Sequence, residues 1–462
     1  MARTGMVGTE VYTQEFARFM TEFTYDQLPN EVIRRGREIL LDTLGALLAA
    51  SSPKYSTARI ITEFVRSQGG TPESTVIGRN FKTSCVNAAM ANGTLGYACD
   101  VEAHHPGAVL HPAAIVVPTA LAIGERERVS GRRFLAALVL GIDVASRVSY
   151  ALDPRSLYRR GFHPSSVAGC FGATAAAGNL LGLDVPRFRN ALGLVGNQAS
   201  GLLAWASDQT ENSRPFNPGI AARNGTTAAL LASMGFGGPP DIFGGKYDLF
   251  TAFSGEGDLD ALTENLGRHF HILELAIKLY SCCAFIHPAL DGLLKVVAEQ
   301  KLRIEDLDKV DIRFASSGVG IIDNNELKSH CAQYIIAVAA LDRKVIIDDI
   351  LQDRRSDPRI QHLSEHVRVL GDPEMERTYP EQYRTIIEVT TRDGRTFAEQ
   401  VDWPKGYPQN PVSPQELKEK FLTLSTTVVD RTRAEEIADL VDQVENLNDI
   451  GELTTKLQVI SK

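Results

Sequence analysis

From about residue 13 to about residue 265, apolar side chains recur every three or four residues, and no stretch alternates as a sustained strand would. This period is typical of amphipathic and buried helices, so more than half of the chain is predicted to form a helical domain. Ser130 is predicted to cap one of these helices. The clearest helical segments are residues 13–23, 30–50, 56–68, 84–97, 113–125, 131–151, 186–199 and 226–234.

The pattern changes after about residue 270. Residues 309–315 alternate like a half-buried strand, and residues 385–391 and 396–403 flank Asp393-Gly394, a strong signal for a two-residue hairpin turn. Helices are predicted between these strands, at residues 288–300 and 327–341, and again near the end of the chain, at 414–424 and 433–445. We therefore expect a smaller α+β domain followed by a return to the helical domain.

The fold class predicted from this pattern is mostly α, with a large all-helical domain built from both chain ends and a smaller inserted α+β domain. The expected boundaries are 1–268 for the first helical part, 269–404 for the inserted domain and 405–462 for the helical return. Residues 1 to about 9 are expected to be disordered.

The bulk composition excludes several classes of function. Hydrophobic residues make up 44% of the 462 residues, enough for a large core. A net charge of -9 and a pI of about 5.7 argue against binding to nucleic acid or to an anionic membrane, both of which need a basic face. An anionic small-molecule substrate stays possible, because a few buried cations can outweigh the overall charge locally.

The cysteines and the apolar segments favour a cytoplasmic protein. Six cysteines in a chain of this length do not form a disulfide scaffold, so reduced thiols are expected. The N-terminal residues have no apolar core of the secretory type. The longest uncharged run, 162–183, is rich in Ala, Gly and Ser and is expected to be a helix buried in a bundle rather than a membrane span.

The chemistry-bearing residues are concentrated between residues 92 and 118, where three histidines and two acids lie close together. Histidine changes charge near neutral pH and suits proton transfer. Proline holds the residue before it in an extended conformation, so a histidine in a His-Pro pair is fixed outside a helix, as a catalytic acid or base would need. The group consists of Asp100, Glu102, His104, His105 and His111, and further His-Pro pairs begin at His163 and His287.

Other kinds of site are less well supported. The clustered histidines could bind a metal, but neighbours such as His104 and His105 rarely share one ion. Residues 362–366 (HLSEH) fit a metalloprotease pattern at only three positions, and a polar helix face is the simpler interpretation. Gly-rich phosphate loops and the GxSxG serine elbow do not occur in the sequence. Arg214, Arg223 and Lys278 are the candidate cations, and the alternative for each is an exposed loop charge.

Five segments, taken in order, resemble the MmgE/PrpD family, which includes 2-methylcitrate dehydratases, cis-aconitate decarboxylases and iminodisuccinate epimerase. The segments are NGTLGYACD, HHPGAVLHPAA, GFHPSSVAGCFGATAAAGNLLGLD, KLYSCCAFIHPALDGLL and PKGYPQNPVSPQELKEKF. The resemblance covers nearly the whole chain and implies a large helical domain with an inserted α+β lid. It also implies a homodimer that acts on a small carboxylate and uses no metal or organic cofactor.

The resemblance assigns roles to individual residues. Asp100 matches the first acid of the family's active-site motif, and His111 and His163 match its two catalytic histidines. Lys278 matches a lysine before the Cys-Cys pair, and Tyr334 matches a tyrosine of the lid. The residues implied to bind substrate are Arg214, His104, His105 and Asn217.

The chain departs from the family pattern where substrate is expected to bind. The usual DFDDTH is DVEAHH here, Arg214 replaces a lysine, and Asn217 replaces a histidine of many relatives. The expected reaction is proton transfer at a carbon next to a carboxylate, with His163 or His111 as base and the other as acid. We favour a 2-methylcitrate dehydratase-like hydro-lyase, with an epimerase, racemase or decarboxylase as the alternative and a non-catalytic ligand-binding scaffold as a more distant one.

Overall fold

The computed structural model describes residues 9–255, 257–352, 354–379 and 382–459. Disorder was predicted for residues 1 to about 9. All of these except Thr9 lie outside the described ranges.

Up to residue 263 the described chain is built from helices and one small two-stranded ribbon. The helices are α1 (Thr9–Glu22), α2 (Asn30–Ala50), α3 (Ser56–Gln68), α4 (Cys85–Ala98), α5 (Ala113–Glu127), α6 (Gly131–Ala151), α7 (Pro154–Arg159), α8 (Pro164–Leu180), α9 (Val185–Gly196), α10 (Ser213–Ser233), α11 (Leu249–Phe253) and α12 (Asp260–Thr263), and the ribbon is β1 (Ser74–Thr75) and β2 (Lys82–Thr83).

Several helix boundaries agree with the sequence predictions. Helices α2, α3 and α6 begin and end at the predicted residues. The Ser130 hydroxyl accepts a hydrogen bond from the Arg133 N–H at 3.5 Å and caps α6 as expected. The helix predicted at 226–234 is longer, because α10 already begins at Ser213. Pro215 and Pro218 lie in its first half and concealed its start, since proline usually interrupts a helix.

The small residues of α6 and α8 let these helices approach closely. A Cβ atom added to Gly172 would lie only 2.4 Å from the carbonyl oxygen of Gly141. Nearly all of α8 is buried, so the uncharged run forms a bundle helix as predicted. Among the described residues one helix, α6, is long and apolar enough to cross a membrane, and 94% of its most apolar window is buried inside the protein.

The second part of the chain contains helices and a four-stranded sheet. The helices are α13 (His287–Glu299), α14 (Ser316–Ile322), α15 (Ala332–Asp342), α16 (Ile347–Leu351), α17 (Pro358–Ser364) and α18 (Pro373–Glu376), and the strands are β3 (Leu307–Ala315), β4 (Val367–Asp372), β5 (Thr385–Thr391) and β6 (Thr396–Val401). Single-turn 3₁₀ helices occur at Tyr25–Gln27, Leu203–Ser207, His271–Glu274, Ala284–Ile286, Ile304–Asp306, Lys328–His330 and Val444–Asn446.

The strand order in this sheet is β4-β3-β5-β6. Strands β5 and β6 form the predicted antiparallel hairpin, with Thr390 opposite Thr396 and Gly394 at a φ of +87° in the turn. Strand β4 runs parallel to β3, with Val310 opposite Val367, and was not predicted. A parallel partner is hard to predict because the connection between the two strands is long, here more than fifty residues that include several helices.

The chain then returns to helices α19 (Pro414–Ser425), α20 (Arg431–Asp442) and α21 (Gly451–Lys456). Helix α19 packs against α2, where a Cβ atom on Gly45 would lie 3.3 Å from the Phe421 ring. One hydrophobic cluster joins both chain ends, and a second lies between Ala276 and Tyr407. The predicted fold class, mostly α with a smaller α+β part, is therefore confirmed. The exact domain boundaries stay predictions.

Candidate active site

A cavity of about 80 Å³ lies between the two hydrophobic clusters, where the helical part meets the α+β part. Its walls come from both parts of the chain. The lining residues are Tyr97, Asp100, His104, Val109, Leu110, His111, Tyr158 and Trp205 from the helical part, and Lys278, Cys283, Ala284, Phe285, Ile321, His330 and Tyr383 from the second part.

Asp100 lies at the centre of the charged groups. Helix α4 ends at Ala98, and the chain turns at Asp100, whose φ of +50° is unusual for a residue other than glycine. The Lys278 ammonium donates to its Oδ1 at 2.5 Å and to its backbone carbonyl at 3.3 Å. Burial raises the pKa of Asp100, but Lys278 and Arg214 outweigh this effect and hold the pKa well below its ordinary value. The carboxylate is therefore ionised and paired.

Arg214, in the first turn of α10, supplies a second buried cation. Its Nη1 lies 3.7 Å from Oδ1 of Asp100, its Nε donates to Glu211 at 3.4 Å, and its guanidinium lies 4.9 Å from the centre of the Tyr97 ring. Its Nη1 and Nη2 atoms have no hydrogen-bond partner among the described residues. A buried guanidinium with free donors suits a carboxylate, which accepts two parallel hydrogen bonds. Glu211 also accepts from the Ser329 hydroxyl at 3.1 Å and so links α10 to the second part.

His111 faces a fully buried carboxylate. Its Nδ1 lies 2.8 Å from Oε1 of Glu102, and its backbone N–H donates to the Ser165 hydroxyl at 3.1 Å. Burial and the nearby Lys278 lower the pKa of His111, and Glu102 opposes them. A neutral imidazole next to a carboxylate keeps its proton on the nitrogen that faces the carboxylate. Nε2 is then the basic nitrogen, as in other carboxylate-oriented histidines.

His163 lies behind the cavity wall rather than in it. It occupies the N-cap position of α8, directly before Pro164, so the prediction that it stands at the mouth of a helix is confirmed. Its Nε2 lies 3.3 Å from the Tyr97 hydroxyl and its Nδ1 3.2 Å from the Ser166 hydroxyl. Burial lowers the pKa of His163 to about 3, so it is neutral at physiological pH. Its route to the cavity runs through the Tyr97 hydroxyl.

Two further histidines line the cavity. His104 has its Nε2 3.2 Å from the Tyr407 hydroxyl, and its buried Nδ1 has no partner among the described residues. Burial and Lys278 hold the pKa of His104 well below its ordinary value. His330 comes from the second part of the chain, with Nδ1 2.8 Å from the Ser329 hydroxyl, and burial lowers its pKa to about 3.

His105 does not join these residues. Its Nε2 lies 3.2 Å from Glu274, and its Nδ1 accepts a hydrogen bond from the Ala108 N–H, so both ring nitrogens are occupied away from the cavity. The ligand atoms of His105, His271 and Glu274 lie within 4.8 Å of one another, close enough to hold a metal ion. The Ala108 hydrogen bond, however, places the proton of the neutral ring on Nε2, the nitrogen that would have to bind the metal. The cluster therefore fits an imidazole–carboxylate pair better than a metal site.

Tyr334 and Asn217 also lie apart from the cavity lining. The Tyr334 hydroxyl donates to the backbone carbonyl of Asp349 at 2.6 Å, and the residue is buried in α15. The half-buried Asn217 amide donates to the carbonyl of Leu202 at 3.3 Å. The structure thus brings Asp100, His104, His111 and Lys278 together at the cavity and places Arg214 and His163 directly behind it, with Tyr97 between. Their catalytic roles stay predictions.

Several residues at this site have no role that the sequence indicates. Glu102 departs from the family pattern, and nothing near it in sequence pairs it with a histidine. Tyr97 lies in one of the family-like segments without a role, and His330 and Trp205 belong to no recognisable motif. The lining thiol of Cys283 is not a nucleophile candidate, because burial raises its pKa to about 12. All six cysteines are free.

Known protein families and individual relatives match this chain along most of its length. Residues 14–262 match the model of the MmgE/PrpD N-terminal domain, and residues 280–446 match that of the MmgE/PrpD C-terminal domain. The cis-aconitate decarboxylase of Mus musculus is 27% identical over 96% of this chain and 93% of its own length, and that of Aspergillus terreus is 25% identical over 96% and 94%. The mitochondrial 2-methylcitrate dehydratase of Yarrowia lipolytica is 24% identical over 87% of this chain and 81% of its own length.

Proposed function

The chain belongs to the MmgE/PrpD family, and we propose that it is a lyase that acts on a small di- or tricarboxylate by proton transfer at a carbon next to a carboxylate. One observation carries this proposal. A neutral histidine with an oriented ring, His111, lines the same cavity as a buried ammonium group, that of Lys278.

The chemistry needs both groups. Negative charge that develops next to a carboxylate gives a doubly charged enediolate, which is costly unless fixed cations neutralise it. Lys278 lines the cavity, and Arg214 lies behind Tyr97 with two donors unpartnered among the described residues. Asp100 holds both cations in the absence of substrate. A substrate carboxylate would compete with Asp100 for them, so the charges are already in position before binding.

Proton transfer is assigned to His111 and to the pair of His163 and Tyr97. The Glu102 carboxylate, with Oε1 2.8 Å from Nδ1 of His111, attracts the ring proton to that nitrogen, which leaves Nε2 to accept a proton from carbon or to return one to it. His163 reaches the substrate through the Tyr97 hydroxyl, at 3.3 Å from its Nε2, and supplies the second proton-transfer group. His111 and the pair of His163 and Tyr97 could thus transfer protons on opposite faces of a substrate.

Decarboxylation of a cis-aconitate-like acid is the first reaction to test, because relatives with that name match this chain over 96% of its length. In this reaction the bond between the substrate and the departing carboxylate breaks, carbon dioxide leaves, and the electron pair on carbon takes up a proton from the Tyr97 hydroxyl, which solvent then reprotonates by way of His163. Dehydration of a 2-methylcitrate-like acid is the second candidate, because a dehydratase also matches most of the chain. There the base removes a proton from carbon and an acid protonates the departing hydroxyl, which leaves as water.

One experiment separates these candidates. Purified protein is incubated in deuterated water with cis-aconitate, with citrate and with 2-methylcitrate, and products are followed by proton NMR. Loss of a carboxylate with one deuterium gained identifies a decarboxylase, and a new double bond identifies a dehydratase. Deuterium incorporation into 2-methylcitrate together with the signals of its diastereomer, and without loss of water or of a carboxylate, identifies an epimerase. Unchanged spectra for all three acids would contradict the proposal and favour a non-catalytic scaffold.

We also propose the homodimer that the family resemblance implies and the cytoplasmic location that the reduced cysteines favour. Sedimentation velocity at micromolar concentration tests the dimer, with a mass of about twice the 50.4 kDa of one chain as the expected result. A single species at the mass of one chain would overturn that part of the proposal.

A further inference from the structure

The cavity at the active site is too small to be the whole binding site. Its volume is about 80 Å³, whereas pockets for small-molecule ligands usually measure about 300–1,000 Å³. A di- or tricarboxylate must therefore come in through an adjoining space, or the cavity must enlarge when it binds.

Such a space lies next to the cavity. A groove of about 380 Å³ on the outer side shares four of its lining residues with the inner cavity. Val109 and Tyr158 come from the helical part, and Phe285 and Ile321 come from the second part. These four residues separate the outer groove from the inner cavity, so movement between the two parts of the chain would change the width of the passage.

The outer groove presents positive charge at its mouth. Arg155 and Arg159 both lie on α7, line the groove and are exposed. Arg159 lies 3.8 Å from Asp153, which is too far for a tight pair between exposed groups. The acid that lines the groove, Glu376, accepts a hydrogen bond from the Ser317 N–H at 2.8 Å. Arg155 and Arg159 outnumber Glu376 in the lining, and Asp153 lies outside it beside Arg159, so the mouth of the groove carries an excess of positive charge, in a protein whose net charge is -9.

Val109 marks the passage between the two spaces. Its φ is +51°, in the left-handed region that a β-branched residue very rarely adopts. Strain of this kind is unfavourable and persists only where the surroundings impose it, most often at functional sites. Val109 lies two residues before His111, so the strained backbone connects the passage directly to the imidazole proposed to act on the substrate.

We propose that the groove lined by Arg155 and Arg159 is a capture site for the carboxylate substrate, and that Val109 and Ile321 form the passage from it to the active-site cavity. This inference rests on the proposed function, because it takes the substrate to be a polycarboxylate. The arginines raise the rate of association by attracting the anion, and they take no part in the reaction itself.

The test measures association at the inner cavity directly. Trp205 lines that cavity. Every protein tested also carries Trp403→Phe, which removes the other tryptophan, so the fluorescence comes from Trp205 alone. Binding of tricarballylate, a tricarboxylate without a double bond or hydroxyl, is followed by stopped-flow fluorescence between 20 and 300 mM salt. The groove variant is Arg155→Ser/Arg159→Ser. The matched control is Arg160→Ser, which removes an exposed arginine next to α7 that does not line the groove.

The expected result is a loss of about tenfold in the association rate of the groove variant at low salt, with a flatter salt dependence and little change in the dissociation rate. The control should behave like the parent protein. Equal association rates and equal salt slopes in the groove variant and the control would overturn the capture site. Absence of tricarballylate binding by the parent, together with absence of turnover of all three acids, would instead overturn the proposed function.

A second variant tests the passage without changing charge. Val109→Gly removes the side chain and relieves the backbone strain, because glycine adopts a positive φ freely. Association and dissociation of tricarballylate should then both accelerate by several-fold, with the salt dependence of the parent retained. Unchanged rates, in a protein that circular dichroism shows to be folded, would exclude Val109 as a constriction.

Discussion

Glu102 and His111 form an oriented carboxylate–imidazole pair, with Oε1 of the acid 2.8 Å from Nδ1 of the ring. The pair lies in a loop that also contributes Asp100 and His104 to the cavity, so one short stretch supplies much of the reactive chemistry. The same loop contributes His105 to a second pair, with Glu274 of the 3₁₀ helix His271–Glu274, and this pair points away from the cavity. This second pair provides a natural control.

Glu102→Gln should lower kcat by about 100-fold with little change in KM, because the amide no longer fixes the tautomer of His111 and general-base catalysis contributes about 10²–10⁴-fold. The matched variant Glu274→Gln breaks an equivalent pair outside the cavity and should change kcat less than threefold. Steady-state kinetics with the substrate found by NMR measures both. Equal losses in the two variants would show that Glu102 has only a structural role.

In a dehydration or an epimerisation, where His111 removes a proton from carbon, the acid limb of the pH profile should report His111. Its pKa is lowered by burial and by Lys278, so the neutral base form persists below the ordinary value of 6.5 and activity is lost only as the pH falls through the lowered pKa. Because Glu102 raises the pKa of His111, Glu102→Gln should move this limb to still lower pH. A profile of kcat/KM between pH 4 and 8 tests both statements, and a limb above pH 6.5 would contradict them.

Removing the Lys278 charge should affect stability as well as activity. Lys278→Met leaves the buried Asp100 carboxylate with Arg214 at 3.7 Å as its remaining close cation, and loss of one partner of a buried ion pair typically costs about 3–5 kcal/mol. The double variant Lys278→Met/Asp100→Asn should regain most of that stability and still be inactive. Urea unfolding and turnover assays measure the two effects separately. Activity in the double variant would exclude Lys278 as a substrate cation.

His163 and Tyr97 should behave as one unit. Tyr97→Phe and His163→Asn each interrupt the contact between Nε2 and the hydroxyl, so each should lower kcat strongly and the double variant should be little worse than the poorer single one. The free energies of activation from the four proteins form a double-mutant cycle. Fully additive effects would mean that the two side chains act independently.

Tyr334→Phe should leave catalysis intact. Its hydroxyl donates to the carbonyl of Asp349 inside the second part of the chain, so the variant should lose about 1 kcal/mol of unfolding free energy and keep kcat within twofold. Urea unfolding and initial rates measure these quantities. A loss of kcat beyond tenfold would restore the catalytic role that the family resemblance implies for this tyrosine.

Buried neutral histidines should make the protein sensitive to acid. The pKa values of His163, His287 and His330 are each lowered to about 3 by burial, while the unfolded chain titrates near 6.5. Between these values the unfolded state binds protons that the native state does not, so stability falls as the pH falls from 6.5 toward 3. Replacing His287 by Gln should make the urea midpoint less dependent on pH in this range. An unchanged dependence would show that the titration of His287 is not coupled to unfolding.

Much of the fold could be predicted because its signals are local. Helical periodicity located α2, α3 and α6, and the Asp393-Gly394 turn located the β5–β6 hairpin. Strand β4 was missed because it is a short edge strand whose parallel partner lies more than fifty residues earlier. The start of α10 was missed because prolines in its first half gave the pattern of a loop.

The sequence by itself determined the helical architecture and the concentration of histidines and acids in one loop, whereas the burial of Arg214 and Lys278 was decided by the tertiary structure. Only the tertiary structure decided which histidines face the cavity. His104 and His105 are neighbours in a nearly extended segment, paired to Ala276 and to Leu110, and successive side chains of an extended chain point in opposite directions. One ring therefore reaches the cavity and Tyr407, and the other reaches Glu274. Both partners lie more than 160 residues away, where no local pattern could indicate them.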